Sequence, residues 1–509
     1  MSENDVVTFS EHYDLKKDQL ELDFVDVTVS GSDVKLFIDP YSLSRRKQPW
    51  YVECAEQVYD FFDTLIDLIR LNQKSQALYL LSGLHESNET RLGYSPNNKG
   101  SAVGKGQAQA LYDSLRDSKA IETGVLKDIE ECNLMVKGID RDKISDITTN
   151  IIKYNLIKYT QSQCALYEVP TYRLPVKNVF DNNNKEWKND YYDLPKDING
   201  KPVVLVPKDL VRIVPTLNAN EFYNHYVLNF LQEDLYSSAS SLCRPVKGVR
   251  KKPTKKIIKE EVTKVGDPRK DEFKKSLKDY LYEFSSQNES VLNEYREVKN
   301  TDTADPSLSN QEIEHQNKDR QQDYDKLIEG INKISPGRSS AGAYHNFIIG
   351  ALNAIFYPLL TYPKKESPIN DDLKRIDIRY INAATYGFFS SLSRLKNIPA
   401  PYVLVECKNY QDDVSNPECD QLATRFNDRR GRFGILTVRN IDDRARLIDR
   451  CRAICRDGHG YIIPIEDSDI IYLLGLKKAK NEAAIDEFLE ERLANHRLTR
   501  STFDESEAK

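Results

Sequence analysis

The sequence predicts a multidomain α/β protein with an N-terminal mixed α/β domain, a helical middle region, and a C-terminal mixed sheet flanked by helices. Three observations support this fold class. With 509 residues, the chain exceeds what one compact core usually holds. Short apolar runs alternate with helical apolar spacing towards both ends of the chain. Charged and polar residues dominate a long stretch between them. The expected divisions are residues 1–215, 216–335, 338–475 and 476–509.

Composition excludes several protein classes. Hydrophobic residues make up 39% of the chain, enough to build cores, and charged residues make up 30%. No run of about 18 apolar residues occurs, and the polar, acidic start lacks the apolar segment of a secretory signal. The eight cysteines form no CxxC pair and histidine is scarce, which disfavours structural zinc and fits a reducing compartment. We expect a cytoplasmic protein without a membrane partner.

The N-terminal 215 residues predict a recognition or regulatory domain of mixed α/β type. Alternating apolar and polar residues predict a first strand over 20–27, and residues 34–38 predict a second. Residues 182–184 predict a loop, and the apolar run 203–206 predicts a third strand. Apolar residues at helical spacing predict helices over 51–71, 74–84, 104–119 and 141–162.

The middle region predicts helices and a basic connection. Residues 216–236 present an apolar helical face formed by Phe222, Tyr223, Tyr226, Val227, Phe230 and Leu231. Residues 244–259 contain eight basic residues and no acidic one, which indicates either a solvated linker or an arm that contacts phosphates. The candidate phosphate contacts there are Lys251, Lys252, Lys255 and Lys256. Residues 267–333 predict two long solvent-facing helices, a spacer or an oligomerisation arm.

The C-terminal third predicts the order α-β-β-α-β-α-β. Asn416-Pro417 predicts the start of a helix, and Pro464 suggests that the last strand lies at a sheet edge. Apolar runs predict strands over 375–380, 402–405, 434–438 and 461–465. The predicted helices are 341–357, 416–427 and 442–456, with a helical insertion over 383–396.

Charged residues within one of these strands and at the end of the next suggest phosphodiester chemistry. Asp377 lies in the first strand, and Glu406 and Lys408 end the second, where alternation places them on the same face. Such charges are costly there unless paired or functional. Phosphodiester hydrolysis needs a metal that activates water, and Mg²⁺ prefers carboxylate oxygens. We expect the Cys407 backbone carbonyl to reach the metal and Lys408 to orient the water or stabilise the transition state.

These residues resemble the PD-(D/E)xK, restriction-endonuclease-like superfamily over residues 338–475. The matching segments are Arg-Ile-Asp-Ile over 375–378 and Val-Leu-Val-Glu-Cys-Lys over 403–408, followed by Gln421 and Arg425. The resemblance implies a restriction-endonuclease-like fold and a Mg²⁺ ion, with Mn²⁺ as a substitute. It implies that Asp377 and Glu406 bind the metal, that Lys408 is catalytic, and that Gln421 and Arg425 contact the metal-bound water or the phosphate.

One position departs from the superfamily pattern. Many members carry a glutamate on the first helix, where this chain has His345 or Asn346. The departure favours a single metal ion. His345 could then bond phosphate or water, the alternative being a residue on the helix surface.

Arginine is concentrated in the segment that follows. Residues 425–456 contain ten arginines, no lysine and four aspartates, and guanidinium groups suit bidentate phosphate contacts. The arginines that we expect to contact nucleic acid are Arg375, Arg425, Arg429, Arg430 and Arg432.

Two function classes remain open on this evidence. The first is a metal-dependent DNA endonuclease of bacterial restriction or anti-phage defence, whose N-terminal domain senses a target or a regulatory protein. The second is a catalytically silent nuclease-fold module that holds DNA or a partner, and the retained Asp377, Glu406 and Lys408 disfavour it. We expect a homo-oligomer, most simply a dimer, that pairs through 267–333 and the apolar face in 216–236. The alternative is that both regions fold back on their own chain. We also expect Glu406→Ala to leave stability nearly intact, because clustered carboxylates repel each other.

Overall fold

The computed structural model of the chain describes residues 6–84, 87–93, 105–126, 128–246, 249–301, 307–317, 321–365, 378–410 and 416–497. This described part is a mixed α/β structure with a five-stranded mixed sheet in its C-terminal third. Within it, no helix has the length and apolarity needed to cross a membrane. All eight cysteines are free thiols.

The N-terminal part is mostly helical. Its strands are short or form exposed ribbons: β1 (Phe37–Ile38) pairs with β4 (Val211–Arg212), and β2 (Tyr172–Asp181) forms a hairpin with β3 (Glu186–Leu194). The apolar stripe predicted for residues 51–71 is confirmed, because its six members are all buried: Val58, Phe61, Phe62, Leu65, Ile66 and Ile69. The helices are α1 (Phe9–His12), α2 (Tyr41–Ser44), α3 (Pro49–Arg70), α4 (Lys74–Ser82), α5 (Lys105–Arg116), α6 (Lys119–Glu122), α7 (Cys132–Met135), α8 (Arg141–Ile151) and α9 (Lys153–Tyr167).

The strand predicted over residues 20–27 is wrong. Residues 19–21 form a 3-10 helix, and the chain from 19 to 29 is buried on every side. The acidic side chains that should have faced solvent have buried partners instead. Asp26 accepts hydrogen bonds from the hydroxyl of Ser10 at 2.6 Å and from its amide at 2.8 Å, and Asp23 accepts one from Tyr159 at 2.7 Å. Alternation in sequence therefore did not mean alternation between core and solvent.

The other strand predictions of this part hold only in fragments. Residues 34–38 contribute just their last two residues to a strand, and residues 203–206 are buried but belong to no strand. The hairpin of β2 and β3 was missed because most of its side chains are exposed on both faces, so no apolar alternation marks it.

The middle region folds around its own apolar cluster. Phe222 stacks on Tyr295 with ring centroids 5.0 Å apart, and Leu281, Phe284 and Leu292 pack beside them. Two π-helices, Phe222–Val227 and Ile258–Thr263, interrupt the α-helical elements. The elements are α10 (Ala219–Glu221), α11 (Leu228–Ser237), β5 (Pro245–Val246), β6 (Val249–Arg250), α12 (Lys255–Ile257), α13 (Leu277–Gln287) and α14 (Glu289–Thr301).

The interpretation of residues 267–333 as solvent-facing helices is therefore wrong. Helices α13 and α14 cover the apolar face within 216–236, the same face that the sequence offered for oligomerisation. Further along, α15 (Asn310–Asn317) and α16 (Tyr324–Gly330) bury Ile313 and Leu327 in the main core. These sequences are charge-rich, yet one narrow apolar stripe per helix is enough to dock them.

The C-terminal sheet has the strand order β11-β10-β9-β8-β7. Strands β9, β10 and β11 run parallel, whereas β7, β8 and β9 are antiparallel neighbours. In chain order the elements are α17 (Ala341–Phe356), β7 (Leu360–Lys364), β8 (Ile378–Asn382), α18 (Gly387–Arg394), β9 (Tyr402–Lys408), α19 (Asn416–Ala423), β10 (Phe433–Val438), α20 (Arg444–Arg456), β11 (Tyr461–Glu466), α21 (Asp467–Lys478) and α22 (Glu482–Arg497).

Most of the predicted order is confirmed in this part. The strands predicted over 402–405, 434–438 and 461–465 are present, and the strand that contains Pro464 lies at the sheet edge. Strand β7 is an addition that the sequence did not reveal. The strand predicted over 375–380 is described from Ile378 onwards, where β8 begins. Helix α22 packs on the same core through Ile485, Leu489 and Leu493.

The N-terminal part and the C-terminal sheet share one continuous core. Three contacts on and near β7 illustrate the join. The Asn353 amide donates to the carbonyl of Glu21 at 2.7 Å. The Tyr51 and Thr361 hydroxyls lie 2.7 Å apart, and the backbone amide of Tyr362 donates to Asp23 at 3.0 Å. The first half of the chain thus supports the β7 edge of the sheet, and the candidate site lies on β9 of the same sheet.

Candidate functional site

Strand β9 positions the central residues of the site. Val403 and Val405 point into the main core, whereas Leu404 packs into a second cluster with α19 and α20. Alternation places Glu406 and Lys408 on the same face as Leu404. Glu406 is only 1% exposed. The predicted common face of Glu406 and Lys408 is confirmed, because the two side chains form an ion pair.

Two cations hold the Glu406 carboxylate. Lys408 Nζ lies 2.7 Å from Oε1, and the Arg425 guanidinium forms an ion pair with Oε2 through Nη1. Arg425 lies two residues beyond the end of α19 and is 3% exposed, so this second pair is buried. A buried carboxylate is tolerated only when it is paired in this way. Among the described residues, the site therefore brings one carboxylate together with two cations.

Gln421 completes the arrangement at the surface. Lying on α19 one turn before Arg425, it accepts a hydrogen bond from Lys408 Nζ at 3.2 Å through Oε1. Lys408 thereby connects the buried Glu406 with the exposed Gln421. The four predicted residues Glu406, Lys408, Gln421 and Arg425 do meet at one place.

Two arginines at this end of the sheet, the buried Arg425 and the partly buried Arg439, retain buried donors that lack hydrogen-bond partners among the described residues. Nε and Nη2 of Arg425 have no hydrogen-bond partner among the described residues, and the same holds for Nη1 of Arg439. Arg439 follows β10 directly, and Val438 at the end of that strand pairs with Lys408. A buried donor that makes no hydrogen bond costs about 1–3 kcal/mol.

Arg439 belongs to a cluster that the sequence did not reveal. Its Nε lies 2.9 Å from Asp467, and its guanidinium lies 4.9 Å from the centre of the Tyr344 ring. The Tyr344 hydroxyl donates to Asp467 at 2.9 Å. Burial raises the pKa of Asp467 to about 6, although Arg439 opposes the shift. The sequence did contain one signal for this cluster: Arg439 is a charged residue directly after a buried parallel strand. The carboxyl ends of parallel strands meet at one edge of a sheet, where ligands often bind.

His345 lies half-buried on α17. Burial lowers the pKa of His345 to about 4. The positive charge of Lys365 adds to this shift, and the negative charge of Glu406 opposes it. The imidazole is therefore neutral at pH 7. Its buried Nε2 has no hydrogen-bond partner among the described residues. A neutral ring can accept at one nitrogen and donate at the other, so it suits water, phosphate or a metal.

The described residues fit a metal ion only in part. None of them form a group of three or more His, Cys, Asp or Glu side chains arranged to hold one. Glu406 and the neutral His345 are the available donors, and Cys407 lies between Glu406 and Lys408, opposite Thr437 on β10. Asp377 and Arg375 lie outside the described residues. The described pairing of β8 with β9 begins at Ile378 and Val405, next to Glu406 in sequence.

The arginine cluster after α19 does not join the site. The Arg432 amide donates to the carbonyl of Pro399 at 2.6 Å, which places it beside the residues that precede β9. Arg429 and Arg430 are held nearby, their amides donating to Asn427 at 3.0 and 2.8 Å. These three arginines lie away from Glu406, because α19 runs antiparallel to β9 and carries the chain to the other end of the sheet. Their contact with nucleic acid stays a prediction.

The basic stretch 244–259 packs on the middle region. Lys252 pairs with Glu233, and Lys255 Nζ donates to the carbonyl of Asn224 at 2.6 Å. Lys256 lies 4.0 Å from Glu260, and Lys251 is exposed. The described part of this stretch is folded against its neighbours. Its contact with nucleic acid stays a prediction.

Comparison with known proteins does not extend to the residues of the site. A family model described as a domain of unknown function (DUF8370) matches residues 14–218. No curated protein and no solved structure matches the chain. The matched residues cover the N-terminal part and end before α10, so they carry no information about the sheet with Glu406 and Lys408.

Proposed function

We propose that this protein is a metal-dependent DNA endonuclease that hydrolyses phosphodiester bonds at the carboxyl end of β9. One observation carries the proposal: Glu406, Lys408, Gln421 and Arg425 come together there through direct contacts. A carboxylate, a lysine and hydrogen-bond donors directed to one place are what phosphodiester cleavage needs.

The chain's own residues have distinct roles in this proposal. Glu406 holds the metal together with Asp377, whose place in the site rests on the sequence alone, and the Cys407 carbonyl adds a third oxygen. When bound, Mg²⁺, or Mn²⁺ in its place, would neutralise charge on the scissile phosphate and make water a stronger nucleophile. Lys408 orients that water, and Gln421 restrains the Lys408 ammonium group.

Arg425 acts as both a positioning and a phosphate-binding residue. Its Nη1 fixes the Glu406 carboxylate, while Nε and Nη2 stay available for phosphate oxygens. Arg439 adds a further donor at the end of the neighbouring strand. Guanidinium groups suit this task because they offer several donors in a planar fork.

The biological setting follows by analogy only. Nucleases of the superfamily that this chain resembles serve bacterial restriction and anti-phage defence, and we place this protein there. An unregulated nuclease would damage its host, so we include control by a protein partner or by assembly. Dimerisation remains part of the proposal, but it must use a surface other than the apolar face within 216–236, which α13 and α14 cover.

A catalytically silent module that holds DNA is the second candidate. One observation favours it: both oxygens of Glu406 already bear ion pairs, with Lys408 and with Arg425. A metal would have to compete with two cations for that carboxylate. A protein that binds DNA through its arginines would need no such exchange.

A cleavage assay separates the two candidates. Plasmid and linear DNA are incubated with the full chain in Mg²⁺, in Mn²⁺ and in EDTA, beside the variants Glu406→Gln and Lys408→Ala. The exposed pair Glu329 and Lys333, also a glutamate and a lysine, supplies the matched controls Glu329→Gln and Lys333→Ala. Metal-dependent cleavage lost only in the first two variants supports the nuclease. DNA binding without cleavage in any metal supports the silent module, and cleavage by Glu406→Gln at the normal rate contradicts the site.

A further inference from the structure

A cavity of about 810 Å³ lies where the N-terminal part meets the C-terminal sheet. One wall is the segment 45–49, which leads into α3. The other wall is formed by residues 382–385 at and after the end of β8, by α18, and by residues 397 and 399–401, which lead into β9. We refer to this space as the basic cavity. Small-molecule sites usually measure about 300–1,000 Å³ and often lie at such junctions.

The wall of the basic cavity is strongly cationic. Arg45, Arg46, Lys47 and Arg394 line it, and none of the lining residues carries a carboxylate. Arg46 is ion-paired with Asp209, which lies outside the lining, so its charge is offset from behind. Lys47 and Arg394 are exposed, and Arg45 is partly buried. The cavity therefore favours an anion.

The first turn of α3 adds to this preference. Helix α3 has 22 residues and begins at Pro49, which lines the cavity. The positive end of a helix dipole attracts phosphate and carboxylate groups, and here it coincides with the basic side chains. The effect alone would be weak, but it has the same sign as the charges of Lys47 and Arg394.

Two polar side chains of the lining have capacity left for hydrogen bonding. The buried atoms Oε1 of Gln48 and Oγ1 of Thr385 have no hydrogen-bond partner among the described residues. Gln48 is held in place because its amide donates to the carbonyl of Asn382 on β8. Phe389 offers an apolar surface in the same wall. Such a mixture suits a ligand that has a charged group and a less polar body.

The basic cavity is separate from the candidate site. Pro401 lines it and immediately precedes β9, whereas Lys408 ends that strand. At about 3.3 Å per residue, the two ends of β9 lie about 20 Å apart. Arg432, whose amide donates to the carbonyl of the lining residue Pro399, also lies at this end of the sheet and away from Glu406.

We propose that the basic cavity binds a small phosphate-bearing ligand of mononucleotide size. Lys47 and Arg394 bind the phosphate from opposite walls, and Gln48 and Thr385 bond polar atoms of the ligand body. Because one wall belongs to each half of the chain, the ligand stabilises the contact between the N-terminal part and the sheet. This proposal does not rest on nuclease activity at Glu406.

Calorimetric titration of the full chain tests the proposal. The probes are AMP, GMP, CMP, UMP and inorganic phosphate, with adenosine as the uncharged control. The variant Lys47→Gln/Arg394→Gln removes two exposed cations from the cavity. The matched control, Arg269→Gln/Lys333→Gln, removes two exposed cations elsewhere. Thermal melting verifies that all variants fold.

The expected result is saturable binding of at least one mononucleotide and none of adenosine. Binding should weaken at least about tenfold in the cavity variant, because two charge-assisted contacts are lost, and stay unchanged in the control. Failure of every phosphate-bearing probe to bind would overturn the proposal, as would equal binding by the cavity variant. A short single-stranded oligonucleotide forms a separate arm. If only its binding depends on Lys47 and Arg394, the cations serve a nucleic-acid path and the small-ligand proposal fails.

Discussion

Lys408 Nζ lies 2.7 Å from Oε1 of Glu406, on the same face of β9 and two residues further along. The opposite oxygen of Glu406 binds Arg425, from the end of the neighbouring helix. This sharing makes the three side chains interdependent. A change in one alters both the chemistry proposed for the site and the free energy of unfolding.

Replacing Lys408 by alanine should reduce cleavage much more than DNA binding. The lysine acts on charge that develops in the transition state, and loss of one such donor typically lowers the rate about 100- to 1,000-fold. Single-turnover cleavage gives the rate, and fluorescence anisotropy gives the affinity for DNA. Lys333→Ala serves as the control, since Lys333 is exposed. Equal losses of rate and affinity would make Lys408 a phosphate contact only.

Replacing Glu406 by alanine should destabilise the fold, contrary to the expectation drawn from repelling carboxylates. The carboxylate pairs with two cations, and removing it leaves the Arg425 guanidinium buried without its partner. Breaking a buried pair from one side costs about 3–5 kcal/mol. Urea unfolding measures this loss, with Glu329→Ala as the exposed control. Unchanged stability would indicate that other groups compensate the charge of Arg425.

His345 should make the fold sensitive to acid. The pKa of His345 is lowered to about 4 in the folded chain, whereas in the unfolded chain it keeps the ordinary histidine value of about 6.5. As the pH falls below 6.5, the unfolded chain therefore binds the proton first. The stability contributed by the neutral imidazole is thus present above pH 6.5 and is lost progressively towards pH 4, by about 3 kcal/mol.

The variant His345→Asn should flatten that part of the pH profile. Buried carboxyls also titrate in this range, since burial raises the pKa of Asp26 to about 6. The informative quantity is therefore the difference between the two proteins, measured by urea unfolding from pH 4 to pH 7. Exposed His459→Asn provides the control. Parallel profiles for the wild type and His345→Asn would contradict the prediction.

Replacing Phe222 by alanine tests whether the apolar face within 216–236 packs inside one chain or joins two copies. Phe222 is fully buried and stacks on Tyr295 of the same chain. We expect a loss of about 3–5 kcal/mol in unfolding free energy and no change in oligomeric state. Urea unfolding and light scattering, read against the 58.6 kDa chain mass, measure both quantities. A shift towards monomer at constant stability would instead mean that this face joins two copies.

The sequence by itself determined the features that depend on neighbouring residues. The spacing of apolar residues predicted α3, α17, β9 and β10, because helix and strand periodicity are properties of the local backbone. Alternation also placed Glu406 and Lys408 on the same face, since side chains on a strand point to opposite sides in turn. The edge position of β11 followed from Pro464, which cannot donate to a neighbouring strand.

Only the tertiary structure decided which distant residues meet. Arg425 reaches Glu406 whereas Arg432, seven residues later, lies beside Pro399, because α19 returns antiparallel to β9. The charge-rich α13 and α14 cover Phe222 rather than face solvent, and the segment around Asp23 is buried on all sides. In each case, the burial of a charged or apolar group is decided by a partner far along the chain, and local periodicity carries no information about that partner.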